Sequence, residues 1–274
     1  MTIGRASKRL EGGVRLNRVV QQGEPLISVI TAVYNGAQYI EQTIQSVLSQ
    51  SFNNFEYVVV DGGSTDGTIE IIKKFEDRID YWFSEADSGI YDAWNKGLSA
   101  ARGEWISFLG SDDAYYERAL EAYARFIADN VGKDFEYISS RVDLVTSEME
   151  QIQVIGTPWQ WETFRKRMKV AHVGSLHHRN LYDRYGLYDT NFKITGDYEL
   201  LLRPREALRA GFIDVVTAMM RNGGASHNVV RAYTEAKQAK HQSGRRNLMQ
   251  CTIDNAIDMT KVTLKKIFLK RYRA

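Results

Sequence analysis

The amino-terminal 115 residues predict an α/β fold built on a mixed, mostly parallel sheet flanked by helices. Three observations predict it. Short apolar runs alternate with amphipathic helical segments, giving βαβαβαβ in about 90 residues, the pattern of a right-handed, helix-covered sheet. The runs are rich in β-branched and aromatic residues, as in LISVITAV and YVVV. Each run then breaks into a polar loop: 34–36, 61–67, 85–89 and 110–113. In such sheets ligands bind outside the carboxyl ends of the strands, which is where all four loops fall.

In order along the chain, residues 1–24 are polar with no clear periodicity, an arm or a short early helix. Pro25 opens the first strand, which ends at Asn35-Gly36. Ile44, Val47 and Leu48 lie at helical spacing within 41–51. Further strands are expected at 57–60, 79–83 and 105–109, and helices at 69–75, 91–101 and 117–130. Beyond these, 135–138 and 151–155 read as strands, 159–168 as a lid or short helix, and 180–185 as a helical patch. A helix over 197–210 should end or kink at Pro204. An apolar strand over 212–220 follows, and from Val229 a helical tail. The domain expectation is an arm (1–24), a catalytic-type domain (25–228, divided at 115/116) and a tail (229–274).

Composition is that of a soluble globular protein: 274 residues, 43% hydrophobic and 26% charged. A single cysteine, Cys251, excludes an internal disulfide and a multi-thiolate metal site. No apolar run approaches the roughly 18 residues needed to span a bilayer. The N-terminus lacks the apolar core of a signal peptide, so a cytoplasmic address is expected. Residues 231–274 hold eleven Lys or Arg against three acids, a charge of +8, which leaves −6 on the rest of the chain. A basic tail on an acidic body suits an anionic surface; it equally suits a solvated helix face.

Three constellations carry chemistry. Asp112 and Asp113 follow the strand ISFL and can hold a cation against a phosphate, or cap the next helix. DGGSTDGT offers turn glycines, backbone N–H groups and hydroxyls, with Asp61 at the strand end; Asp66 is equally a helix cap. It is neither G-x-G-x-x-G nor a P-loop, which weakens those nucleotide readings. In SEADSGIYDAWNKG, Lys96 can meet a phosphate or simply pair with Asp92 at i, i+4.

Taken together, LISVITAVYNG, VVVDGGSTDGT, SEADSGIYDAWNKG and FLGSDD, with AHVGSLHHRNLYDRYGLYDTNFKITGDYELLLR, resemble family 2 glycosyltransferases of the GT-A fold. The likeness runs over about residues 25–226 and is closest to the non-processive branch that builds bacterial surface polysaccharides such as O-antigen. The resemblance implies a nucleotide-sugar-binding GT-A domain, a divalent metal (Mn²⁺ or Mg²⁺), and inverting transfer from a nucleotide-diphosphate sugar, expected to be a UDP-sugar. The D-x-D motif falls on Gly110-Ser111-Asp112, so its first acid is missing; Asp112 keeps the metal position and Asp113 follows. The usual D-D-G-S is Asp61-Gly62-Gly63-Ser64 here, leaving Asp61 as the nucleotide carboxylate, with backbone at Ala32, Val33 and Tyr34 beside the base.

The same resemblance puts the general base on Asp197, whose alternative is a helix cap with Glu199–Arg203 as an i, i+4 pair. Nucleotide-sugar contacts extend to Asp92, Lys96 and Ser111. His227 is a candidate third metal ligand, and His172 and Glu199 lie on the expected acceptor side; His177, His178 and His241 read as structural or surface residues. Expected partners are the donor, a glycan or lipid-linked glycan acceptor, an anionic membrane surface under the tail, and a second copy of the chain, with no nucleic acid. The alternative is a catalytically degenerate nucleotide-sugar-binding protein, suggested by Gly110.

Overall fold

A computed structural model describes residues 9–17, 23–223 and 228–271. The described strands form one ten-stranded sheet in the order β1-β4-β3-β2-β5-β9-β7-β10-β6, with β8 on β7. Its centre comprises β2 (Ile27–Val33), β3 (Phe55–Asp61), β4 (Tyr81–Ser84) and β5 (Trp105–Phe108). These four pair in parallel, as the alternation predicts. The connecting helices are α2 (Ile40–Leu48), α3 (Thr68–Lys73) and α4 (Ile90–Ala100). Two apolar cores sandwich the sheet. Ile44, Val47 and Ile72 lie in one, and Tyr91, Leu98 and Leu201 in the other.

The remaining strands depart from the sequence reading for identifiable reasons. Residues 10–12 form β1 (Leu10–Gly12), antiparallel on β4, before the short helix α1 (Val14–Asn17). The strand expected at 135–138 becomes β7 (Tyr137–Val145). Its polar middle hid it: Ser139 and Ser140 are fully buried, and the Ser140 hydroxyl bonds with Tyr123 and Thr217. β6 (Ala114–Tyr115) and β9 (Ser175–His178) were too short or too polar to register. β8 (Gln151–Ile155) and β10 (Ala210–Arg221) lie where strands were expected. So do the helices α5 (Ala119–Asp129), α6 (Trp161–Phe164) and α7 (Arg179–Tyr185).

Helix α8 (Gly196–Leu202) stops before Pro204, and a 3-10 turn at Arg205–Ala207 replaces the rest of the expected helix. The tail forms α9 (Val229–Gln242) and α10 (Leu248–Arg271). Helix α9 packs on α8, and its Ala239 is fully buried in the same core as Leu200 and Leu201.

A buried carboxylate ties the chain's early segments together. Glu56 on β3 is 1% exposed. It accepts from Ser28 Oγ (2.5 Å) and Arg102 Nε (3.1 Å) and pairs with Arg15 from α1. Burial alone would raise its pKa; the Ser28 and Arg102 hydrogen bonds and the charge of Arg15 outweigh it and hold it below the ordinary 4.5. That contribution to stability is therefore present above about pH 4.5 and lost as the pH falls through the depressed folded value. Because Arg15 and Arg102 stay partly hydrated, Glu56→Gln should cost about 2 kcal/mol rather than the full penalty for breaking a buried pair. Urea unfolding at pH 7 measures it, and the difference from the wild type should shrink at pH 3.

Candidate active site

The four loops expected to converge do so. At the end of β3, Asp61 is fully buried. Its Oδ2 accepts from Gly63 N (3.0 Å), Ser64 N (2.9 Å) and Ser84 Oγ (2.6 Å). Its Oδ1 is buried with no partner among the described residues. A cavity of about 790 Å³ opens above, lined by Tyr34, Gly62 to Ser64 and Glu85 to Asp87 among others. Of the three residues expected beside a base, only Tyr34 reaches it. Ala32 and Val33 are buried in β2, and the Val33 carbonyl accepts from Gly62 N (2.8 Å). The walls are held by Asn35 N donating to Ser64 Oγ and Thr65 N donating to Asn35 Oδ1. Asp66 accepts from Ala37 N and Thr68 N and so closes a turn; the cap position of α3 expected for it is taken by Gly67.

Asp92 and Lys96 sit on the rim in α4. Lys96 Nζ pairs with Asp92 (3.4 Å) and Glu85 (3.2 Å) and donates to Ala86 O (2.8 Å). This is the i, i+4 pair, and it braces the loop that lines the cavity. Asp87 aims a carboxylate at Gly62 and accepts from Gly89 N (2.8 Å); burial raises its pKa.

The acid pair lies at the next strand end. Thr43 of α2 donates to the carbonyls of Ser111 (2.9 Å) and Asp113 (2.7 Å), fixing the turn, and Ser111 lies against Gly36. Asp113 Oδ1 accepts from Arg221 N (2.9 Å). The Arg221 guanidinium, stacked on Tyr39, donates to the Asp112 carbonyl and to Gln42. Burial pushes Asp113 up to about 7, with the charge of Asp112 adding and Arg221 opposing. A Cβ on Gly110 would stand 2.5 Å from Asp113 Oδ2 and 3.1 Å from Asp112 Oδ1. Both carboxylates therefore converge on the space that a side chain at 110 would fill. Two carboxylates without a third ligand suit a cation that takes its remaining oxygens from phosphate and water. Among the described residues no cluster of three such ligands occurs, and His227 lies outside them.

Asp197 opens α8. Its Oδ1 accepts from Tyr91 OH (3.1 Å) of α4. Gly196 makes this approach feasible: a Cβ there would stand 2.8 Å from the Tyr91 ring. Asp197 also lines a second cavity of about 340 Å³ with Met168, Tyr198 and Tyr233. His172 is stacked on Trp94 (4.6 Å, 8°) and bonds Tyr188 OH at 3.2 Å; enclosure lowers its pKa, opposed by the charge of Asp197. Glu199 is bound by Arg203 Nε (2.9 Å) and Ser243 Oγ (2.6 Å), so its carboxylate is engaged within the fold. His177 is buried against Tyr137, while His178 meets Glu104 and His241 the Arg246 carbonyl.

The model for glycosyl transferase family 2 matches residues 28–178, more than half of the chain. The chain belongs to that family. This glycosyltransferase is 28% identical over 219 residues to a PGL/p-HBAD biosynthesis glycosyltransferase of Mycobacterium tuberculosis, covering 75% of this chain and 81% of the relative. It is 42% identical over 109 residues to TuaG, a Bacillus subtilis protein assigned to teichuronic acid biosynthesis, covering 39% of this chain and 43% of that one. Its fold is that of S. aureus TarS 1-349 in complex with UDP-GlcNAc (TM-score 0.61, 18% identity, 84% of this chain and 70% of that one). The chain spans 41% of a longer TarS structure. The fold is also that of the Pyrobaculum calidifontis mannosyltransferase PcManGT in complex with GDP-Man and Mn²⁺ (0.59, 17%, 92% and 83%). These are GT-A glycosyltransferases, the architecture expected from the sequence.

Four site neighbours escaped the sequence reading: Arg221, Tyr91, Lys193 and Glu235. Arg221 alone left a signal, a charge closing the apolar strand FIDVVTAMM. The glycosyltransferase's need for glycine at 110 is testable. Gly110→Ala should lower stability by about 1–3 kcal/mol through the overlap with Asp113. In Gly110→Ala/Asp113→Ala the two costs should sum to more than the observed loss, because one substitution removes the other's clash. Denaturant melts of the cycle decide; strict additivity would mean that the two sites do not touch.

Proposed function

We propose that this glycosyltransferase transfers a sugar with inversion from a nucleotide-diphosphate sugar, a UDP-sugar in the first instance, to a hydroxyl of a glycan or lipid-linked glycan. The observation that carries the reading is Asp197: a carboxylate on the wall of one cavity, tied through Tyr91 to the helix whose entry loop lines the other. The complexes of TarS with UDP-GlcNAc and of PcManGT with GDP-Man support the donor class, and TuaG supports a surface-polysaccharide acceptor.

In this reading the base lies in the larger cavity with Tyr34 alongside, over the 62–64 turn that Asp61 holds from beneath. The diphosphate extends toward Asp112 and Asp113, which would hold the divalent cation. Bound there, that cation supplies positive charge against the leaving diphosphate. Asp197 takes the proton from the acceptor hydroxyl as its oxygen attacks the anomeric carbon. The bond from that carbon to the diphosphate oxygen breaks with its electron pair on the leaving group. One base suffices, because the departing diphosphate needs no proton.

Asp197→Asn should lower turnover by about 100-fold or more while leaving donor-induced thermal stabilisation nearly intact. Loss of donor binding instead would remove the base role. EDTA should abolish both stabilisation and turnover, and Mn²⁺ or Mg²⁺ should restore them; indifference to EDTA would remove the metal.

We further propose that the enzyme works on the inner face of a membrane through its tail. No described helix is long and apolar enough to cross one. Helix α10 nevertheless leaves Met249, Ile253 and Ile257 exposed at four-residue intervals, ahead of a lysine-rich sequence. Such a stripe suits the interface of an anionic bilayer. The full chain should float with phosphatidylglycerol-containing vesicles at low salt, and a Met249/Ile253/Ile257→Ser triple variant should not. Equal flotation of the two would end the proposal.

A further inference from the structure

The carboxylate of Glu235 in α9 is 7% exposed and faces not solvent but the backbone of the segment entering α8. Its Oε2 accepts from Lys193 N (3.0 Å), Ile194 N (2.8 Å) and Thr195 N (3.1 Å). Its Oε1 accepts from Arg231 Nε (2.8 Å), one turn earlier in the same helix. Three successive backbone donors on one ionised side chain fix a stretch of chain more tightly than neutral bonds do. The burial that would raise its pKa is outweighed by Arg231 and by these three N–H groups, so the carboxylate stays charged at neutral pH.

What the clamp fixes is the approach to both parts of the site. Two residues beyond Thr195 stands Asp197, bonded to Tyr91. At the other end, Lys193 Nζ reaches across to donate to Ser88 O (2.6 Å), in the loop that lines the larger cavity, and to Thr190 O (2.8 Å). A second tie runs from the end of α9: Ser243 Oγ donates to Glu199 Oε1 (2.6 Å) inside α8. Helix α9 thus grips α8 and its entry loop at two points. It lies outside the segment that the family model matches, residues 28–178.

We infer that Glu235 is a positioning residue for the reaction: it holds the 193–195 backbone so that Asp197 meets the acceptor hydroxyl and Lys193 latches the donor loop. The tail's first helix is then part of the catalytic unit and not only an anchor. This inference rests on the reading of Asp197 as the base. Catalytic geometry tolerates little displacement, and a shift of about 1 Å can cost on the order of 100-fold in rate.

The test uses the full chain and three variants, Glu235→Ala, Glu235→Gln and Asp197→Asn. The readout is release of UDP or GDP from whichever member of a UDP- and GDP-sugar panel raises the melting temperature with Mn²⁺. It is followed alongside amide hydrogen exchange of 193–197. Glu235→Ala should lower kcat at least tenfold, with the donor KM changed less than about threefold, and should speed exchange at 193–195. Glu235→Gln keeps an acceptor oxygen and should recover much of both; it also carries the test if the alanine variant does not fold. Faster exchange with unchanged kcat, or a loss confined to KM, overturns the inference. Wild-type turnover in Asp197→Asn overturns the underlying reading instead, and the two failures are distinguishable in one experiment.

Discussion

The constraint on which everything else depends is the parallel pairing of β4, β3, β2 and β5. Parallel neighbours must be joined by crossovers, so every strand of the group ends on the same edge. That edge receives the loops 34–39, 62–67, 85–89 and 109–113. Their charged and polar groups then satisfy one another across the edge. Asn35 donates to Ser64 and accepts from Thr65 between the first two loops, Ser84 reaches Asp61, and Gly36 lies against Ser111. Asp61 occupies the middle of this arrangement. It binds the turn through Oδ2, and its buried Oδ1 has no partner among the described residues. An acceptor buried without a partner costs free energy.

The second half of the molecule extends the sheet by different means. β9 runs antiparallel to β5, β7 antiparallel to β9, and β10 parallel to β7. Two reversals leave β7 and β10 running in the direction of β5, so the end of β10 lies at the strand-end edge, where Arg221 N meets Asp113. Between β9 and β10, the segment entering α8 reaches α4 and the loop before it, through Asp197–Tyr91 on one side and Lys193–Ser88 on the other. The two cavities are linked across contacts made by four groups, none of which belongs to a strand. Such contacts are the natural place for closure around substrate, since they can rearrange without disturbing the sheet.

Legibility followed the same division. Where a strand is covered on both faces, apolar runs and terminal glycines made its existence plain, and helix and strand order from Ile27 through Phe108 needed no correction. Legibility failed where polarity lay inside. Ser139 and Ser140 are interior because Tyr123 and Thr217 satisfy Ser140, and a strand with buried hydroxyls carries no apolar period. Within the site, a spacing could suggest the Asp92–Lys96 or Glu199–Arg203 pair because both partners lie on one helix. Glu235 with Lys193 was invisible, since forty-two residues separate them and the bond is to backbone.

Gly110 shows how a departure from a motif can be compensated in space. The expected acid at 110 is absent, and read linearly the site has lost a ligand. In three dimensions the Asp113 carboxylate stands where that side chain would begin. It is held there by Arg221 N from the far end of β10. An acid at 110 and Asp113 in its present rotamer would compete for the same volume, so the glycine and the second aspartate are two parts of one solution. The electrostatics agree. Two carboxylates this close repel, and burial pushes Asp113 up to about 7, near the point where it would take a proton. Arg221 relieves the repulsion only from behind, through the Asp112 carbonyl and the Asp113 carboxylate. Both carboxylates turn toward the space that Gly110 leaves free.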